Sequence, residues 1–271
     1  MTTPDVPLRI EFSVEVAGTP EQVWAAIATG AGITSWFLPT DVEEHEGGAI
    51  VTHMGETSSP GTVTNWDPPR RFAYEEPEWA ALGGHPGAEV TPLASEFLVE
   101  ARSGGTCVVR VVSSAFGTGA DWEREFIDEM QRYWVPFFEH QLRFYLARFA
   151  GQEATTRTVE VVLPAPPERV QHAMAGSLGA SEVGRRVDGP GIRGQVERTG
   201  DPYLLVSVDD PPGYLSMFAT GRDGGGTTAT IAAWLFGDDA PAFAERAVPA
   251  WQSWLESLDV RDQAAAPAAR R

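Results

Sequence analysis

The sequence predicts an α+β protein made of two tandem copies of one domain, each an antiparallel sheet wrapped on a long C-terminal helix. Three observations carry that reading. An alternating apolar strand followed by a capped short helix opens the chain and recurs in the second half at the same spacing. Short strands punctuated by Gly, Pro or Asp fill the middle of the first copy, as in an antiparallel meander. A long amphipathic segment from Asp121 to Phe149 closes it.

The elements follow in order. From Leu8 to Val16 the apolar residues Leu8, Ile10, Phe12, Val14 and Val16 alternate with Arg9, Glu11, Ser13 and Glu15, the period of a half-buried strand. Thr19 is placed to cap a helix whose first position is Pro20. Val23, Trp24 and Ile27 form its buried stripe, and Gly30 ends it. A second short apolar segment, Ile33 to Leu38, holds Trp36 and Phe37. Strands are then expected at Ala49–His53, Gly61–Trp66, Arg71–Glu75, Ser95–Ala101 and Cys107–Ser113. In the long helix, Pro136 should produce a kink, because it has no N–H to donate and its ring crowds the preceding turn.

The repeat fixes the domain organisation. Phe12 to Val16 with Pro20-Glu21-Gln22-Val23 recurs as Val159 to Leu163 with Pro167-Glu168-Arg169-Val170. Asp67-Pro68-Pro69-Arg70-Arg71-Phe72 recurs as Asp210-Pro211-Pro212-Gly213-Tyr214-Leu215. Val135-Pro136 with Phe137 and Phe138 recurs as Val248-Pro249 with Ala250 and Trp251. The expected domains are 1–150 and a shorter 155–262, with a disordered tail at 263–271. The second copy lacks a counterpart of Trp36-Phe37 and of the loop from Trp79 to Pro92.

Composition narrows the function. The 271 residues carry 38 Asp+Glu against 20 Lys+Arg, a formal charge of -18. Every basic residue is Arg, so a Schiff-base lysine, a P-loop lysine and a Ser-Lys dyad are excluded. Such acidity argues against nucleic acid and against an anionic membrane surface as partners. The single cysteine, Cys107, permits no internal disulfide, and no signal-peptide layout opens the chain. A cytoplasmic protein is expected. The five histidines, His45, His53, His85, His140 and His172, lack the spacing of a metal motif, so neither a metal nor a cofactor is expected.

The Pro20-Glu21-Gln22-Val23-Trp24 start, Ser35-Trp36-Phe37, Gly61-Thr62-Val63 with Asp67 to Phe72, and Trp134-x3-Phe138-x3-Leu142 resemble the START-like (SRPBCC, helix-grip) superfamily. Within it they are most similar to the branch named after the activator of the heat-shock chaperone ATPase. The resemblance implies a cavity between sheet and long helix that takes an apolar small molecule. The candidate lining is Trp36, Phe37, His53, Trp66, Phe72, Tyr74, Trp79, Phe97, Phe116, Phe126, Met130 and Trp134. Each aromatic has the alternative of plain core packing. His53 is the candidate acid or base, with a surface histidine as the alternative. The acidic runs Glu43-Glu44-His45-Glu46 and Glu75-Glu76-Pro77-Glu78 read as solvated loop charges, unless one carboxyl is buried and becomes an acid. The Trp79–Pro92 loop is either a lid over the cavity or a surface insertion.

Tandem members of this superfamily resemble two natural-product groups, polyketide aromatase/cyclases and self-resistance proteins of enediyne producers. The leading expectation is therefore binding of an apolar, polycyclic small molecule, by sequestration or self-sacrifice. A polyketide aromatase/cyclase is the alternative, and would need an inward-facing polar cluster deep in the aromatic cavity. A chaperone co-factor, with a protein partner, is the third reading.

Overall fold

The computed structural model describes residues 5–55, 57–222 and 224–260. The chain divides after Ala154 into two compact units. The tail expected at 263–271 lies outside the described residues.

The first unit opens with β1 (Val6–Ala17), whose even-numbered side chains face inward as the alternation required. Thr19 caps α1 (Pro20–Ala28) through a capping box with Gln22, and α2 (Gly30–Thr34) follows at once. Then come β2 (Thr40–Val42), β3 (Ala49–Met54), β4 (Thr57–Asp67) and β5 (Arg71–Glu76). After the short α3 (Trp79–Leu82) the sheet is completed by β6 (Leu93–Arg102) and β7 (Thr106–Gly117). The seven strands pair antiparallel in the order β1-β7-β6-β5-β4-β3-β2, so the first strand lies beside the last. The three-residue edge strand β2 has no alternation long enough to be read from sequence.

The long helix starts as α4 (Asp121–Glu129), ends as α5 (Arg143–Arg148), and is continuous between them. The two turns that flank Val135-Pro136, Met130–Trp134 and Phe137–Leu142, are π-helical. The Val135 N–H donates to the Met130 carbonyl, five residues back. Pro136 thus does not end the helix: the turns around it widen, which accommodates the ring and the missing donor.

The second unit repeats the plan with β8 (Thr155–Leu163), α6 (Pro167–Ser177), β9 (Arg186–Gly189), β10 (Ile192–Arg198), β11 (Tyr203–Val208), β12 (Gly213–Gly221), β13 (Thr227–Leu235) and α7 (Ala240–Glu256). Its six strands run β8-β13-β12-β11-β10-β9, again with first beside last. The tandem α+β architecture expected from sequence is therefore present.

One repeat match needs correcting. The turn Asp67 to Arg70 joins β4 to β5, whereas Asp210-Pro211-Pro212 joins β11 to β12. Counted from the paired first and last strands, the β4–β5 turn answers to the β10–β11 turn, which carries Asp201-Pro202. The Asp-Pro-Pro resemblance is one hairpin out of step, because turn chemistry recurs wherever a tight reversal is needed and does not encode which hairpin it closes.

Candidate functional site: a cavity under the long helix

Strand register aligns the inner face of the first unit into rows. Phe72 on β5 faces Phe97 on β6, then Val111 on β7 and Phe12 on β1. The next row reads Tyr74, Ser95, Ser113 and Ile10. Glu76, two residues beyond Tyr74, faces Leu93. Above these rows the helix brings Met130, Trp134, Val135 and Phe138, and Phe37 enters from the segment after α2. Between them lies a cavity of about 40 Å³. That is room for about one water molecule.

The cavity walls are mostly rings in edge or tilted contact. Phe37 lies 5.4 Å from Trp134 and 5.5 Å from Phe138, and Phe138 lies 5.9 Å from Phe97. Against that background a polar edge stands out. The Ser59 hydroxyl donates to Glu76 Oε1 at 2.5 Å. Burial pushes the Glu76 carboxyl above its ordinary 4.5, and the Ser59 bond offsets only part of that rise. Beside it, burial and then the nearby Glu76 charge raise the Tyr74 phenol, while a hydrogen bond from Ser95 opposes the shift. Ser95 Oγ and Ser113 Oγ are 2.9 Å apart. The site therefore sets side by side, inside an aromatic enclosure, a carboxyl that holds its proton more tightly than usual and a phenol.

The family model described as polyketide cyclase / dehydrase and lipid transport matches residues 7–144, more than half of the chain. The chain belongs to this family. Its matched region ends within the long helix and spans every residue that lines the cavity. Among solved structures, the chain is similar to protein MLL2253 from Mesorhizobium loti, with 17% identity and a TM-score of 0.45 over 52% of this chain and 98% of that one. It is also similar to the di-domain ARO/CYC BexL from the BE-7585A biosynthetic pathway, with 17% identity and a TM-score of 0.43 over 94% and 99% of the two chains. A third is DynU16, described as a putative protein in the dynemicin biosynthetic locus, with 13% identity and a TM-score of 0.39 over 95% and 98%. No curated protein matches the chain.

In this family member the expected site residues separate into three groups. Phe37, Tyr74, Phe97, Met130 and Trp134 line the cavity. Five others pack elsewhere, Trp36, Phe72 and Trp79 in the core and Trp66 and Phe126 half-buried against it. Trp36 is 1% exposed and donates its indole N–H to Ala26 O at 2.8 Å. Phe72 lies under the lining, and Trp66 stacks edge-on against Trp24 and Phe72. Trp79, wholly buried, donates to Thr91 O and packs on Trp122 and Phe126. His53 and Phe116 lie on the surface. His53 Nε2 is 2.9 Å from the exposed Asp41 carboxylate, and Phe116 is 51% exposed.

Glu76 belongs to the acidic run read as solvated loop charges, and it is the exception that reading allowed, a carboxyl withdrawn from solvent. The signal was available: Phe72, Tyr74 and Glu76 share one face of β5, while Arg71 and Glu75 lie on the other and are exposed. Grouping Glu75, Glu76 and Glu78 as one acidic run hid the period of two. The serines of the polar edge carry no such signal, since a strand serine reads as an outward residue until register places it.

Several other side chains have structural roles. Arg71 pairs with Glu96 on the outer face, and Arg70 with Asp67. Cys107 is buried, and burial raises its thiol pKa, the mark of an unreactive sulfur. The Trp79–Pro92 segment folds down onto the start of the long helix, where His85 stacks on Trp122 at 4.4 Å. Among the described residues no His, Cys, Asp or Glu cluster could hold a metal ion, and no helix is long and apolar enough to cross a membrane. An open groove of about 530 Å³ runs along α2, β2 and β3 and is edged by Asp41, Glu43, Glu44 and Glu153. Its wall has no aromatic side chain, in contrast to that of the smaller cavity.

Proposed function

We propose that the first unit binds a small ring-bearing molecule of polyketide-like character between sheet and helix, with the ligand's polar group against Tyr74 and Glu76. The observation that carries this is a cavity walled by six aromatic side chains and edged by one half-buried carboxyl, in a member of a family described by polyketide chemistry and lipid transport. At about 40 Å³ the cavity is far below the roughly 300–1,000 Å³ of ring-ligand pockets, so binding requires the wall to withdraw. The helix wall is suited to this. Met130 and Trp134 belong to one π-helical turn and Phe138 to the other, and Met130 adapts through three rotatable bonds.

Tryptophan fluorescence of the full chain, titrated with polycyclic aromatics, aromatic polyketides and enediynes, tests the proposal. Saturable quenching that is largely lost in Trp134→Phe is expected. The absence of quenching at high ligand concentration overturns the proposal and points to a protein partner. Mass spectrometry of the recovered chain then separates roles: an intact chain fits a carrier or cyclase, and cleavage at one backbone position fits self-sacrifice resistance.

Glu76 favours a second reading, a cyclase or dehydratase in which the protonated carboxyl serves as general acid. On this reading Glu76 takes the place first considered for His53. Loss of poly-β-ketone turnover in Glu76→Gln with binding retained supports it, and unchanged turnover removes it.

A further inference from the structure

We infer that Tyr74 and Glu76 form a carbonyl-binding edge, two O–H donors aimed into one aromatic cavity, so that the ligand selected is a neutral ketone and not an anion or an amine. This deepens the binding reading above and rests on it. Side chains two apart on β5 stand on the same face of the sheet, which puts the phenol and the carboxyl side by side at the cavity. Each is held from behind. When Ser113 donates to Ser95 and Ser95 to the phenol oxygen, the Tyr74 proton is left for the cavity. When Ser59 donates to Glu76 Oε1, the second carboxyl oxygen is left to carry the acid proton.

The surroundings decide the charge state. Ser59 from β4 bonds Glu76, Leu93 on β6 pairs with it and Tyr74 stands beside it on its own strand, while Ser95 from β6 and Met130, Trp134, Val135 and Phe138 from the helix line the same cavity. Of these only Tyr74 titrates, and burial keeps its proton on. Among the described residues no arginine or histidine lines the cavity, so none of them balances a carboxylate there, whether the protein's own or a ligand's. Glu76 therefore enters the cavity as a neutral acid. A neutral carboxylic acid beside a phenol in an apolar site holds a carbonyl oxygen well, and holds it better as that oxygen gains negative charge.

Acetophenone, ethylbenzene and 1-phenylethylamine test this, because they share a ring and a shape and differ in the polar group. With the full chain near neutral pH, acetophenone should bind about tenfold tighter than ethylbenzene, and its carbonyl stretch should fall to lower frequency on binding. Glu76→Leu should abolish the ketone's advantage while ethylbenzene still binds, which shows that the variant is folded and its cavity intact. Tyr74→Phe should reduce the advantage a few-fold. In the wild type, ketone affinity should fall as rising pH removes the Glu76 proton. Glu76→Gln, which keeps an N–H donor but cannot ionise, should lose that dependence. Equal affinity for acetophenone and ethylbenzene overturns the inference and leaves the binding proposal standing. Preference for 1-phenylethylamine also overturns it, making Glu76 an ionised partner for cations. If none of the three binds, the cavity reading fails and this inference with it.

Discussion

The two units share one strand order and differ in what the inner face of the sheet carries. Across β5, β6 and β7, neighbouring rows read Phe72, Phe97, Val111 and Tyr74, Ser95, Ser113, with Glu76 beyond. Across β11, β12 and β13 the rows read Leu204, Met217, Ile231 and Val206, Leu215, Ala233, with Val208 beyond. The second set is a closed aliphatic core: every one of these residues is buried, against Val170, Met174, Trp251 and Leu255. The helices differ in the same sense. α7 accommodates Pro249 within a regular α-helix, while the helix over the cavity passes Pro136 through two π-helical turns. The fold is therefore indifferent to function. What separates the units is a handful of hydroxyls and one carboxyl inside, each costly unless hydrogen-bonded, and each bonded here.

The sharpest way to break this comparison is to put a carboxyl where the second unit has none. Val206→Asp places it among aliphatic side chains with no donor, and should cost that unit about 4 kcal/mol, much of a small domain's stability. Denaturant unfolding followed by tryptophan emission reads the loss. If the variant unfolds like wild type, the second unit is not the closed core its packing indicates.

Next in size is a contrast between two carboxyls of the first unit. Glu123 is 1% exposed yet lies just beneath the surface at the β7–α4 junction. It accepts from Thr118 N at 2.8 Å, Thr118 Oγ1 at 2.9 Å and Gly119 N at 2.8 Å. Burial raises its pKa, but these donors outweigh burial and hold it below 4.5. Its contribution is thus present above the ordinary carboxylate pKa and lost as pH falls through the lowered folded value. Glu123→Ala should cost about 2 kcal/mol at neutral pH, since several half-buried donors lose a charged acceptor, and the cost should shrink in acid.

Glu76 should behave in the opposite way. Its folded pKa is raised, so its contribution is full below 4.5 and is lost as pH rises through the folded value. Glu76→Gln should therefore stabilise the protein by about 1 kcal/mol at a pH where the wild-type carboxyl is ionised, and by less in acid. Urea unfolding of both variants over a pH series gives two curves of opposite slope. A flat curve for Glu76→Gln would mean that Glu76 is solvated and that the cavity edge is not as described.

The fold was legible because its signals are local and periodic: the alternation of β1, the Thr19 cap, the helix from Asp121, and their recurrence. The site was half legible. Phe37, Tyr74, Phe97, Met130 and Trp134 were named from their aromatic or flexible character and do line the cavity. That character alone could not separate them from Trp36, Phe72 or Trp79, which fill the core, because burial suits any large ring and only register and helix phase decide which ring meets empty space. Glu76 was hidden by its acidic neighbours, and Ser59, Ser95 and Ser113 by being ordinary strand residues.

The smallest expected effect is also the one that decides between the cavity and the open groove. His53 was the sequence's candidate for acid–base work, yet it sits exposed on β3 with the exposed Asp41 as its partner, at the strand pair that edges the groove. A surface pair of this kind contributes little, so His53→Ala should change stability by less than about 0.5 kcal/mol. Ligand quenching of tryptophan fluorescence should be unaltered, because His53 is not among the residues lining the cavity. A large loss of binding in His53→Ala, with Glu76→Leu binding the same ligand normally, would reverse the assignment. The ligand would then lie along the acidic groove at β2 and β3, and the aromatic cavity would be core packing with an unfilled gap.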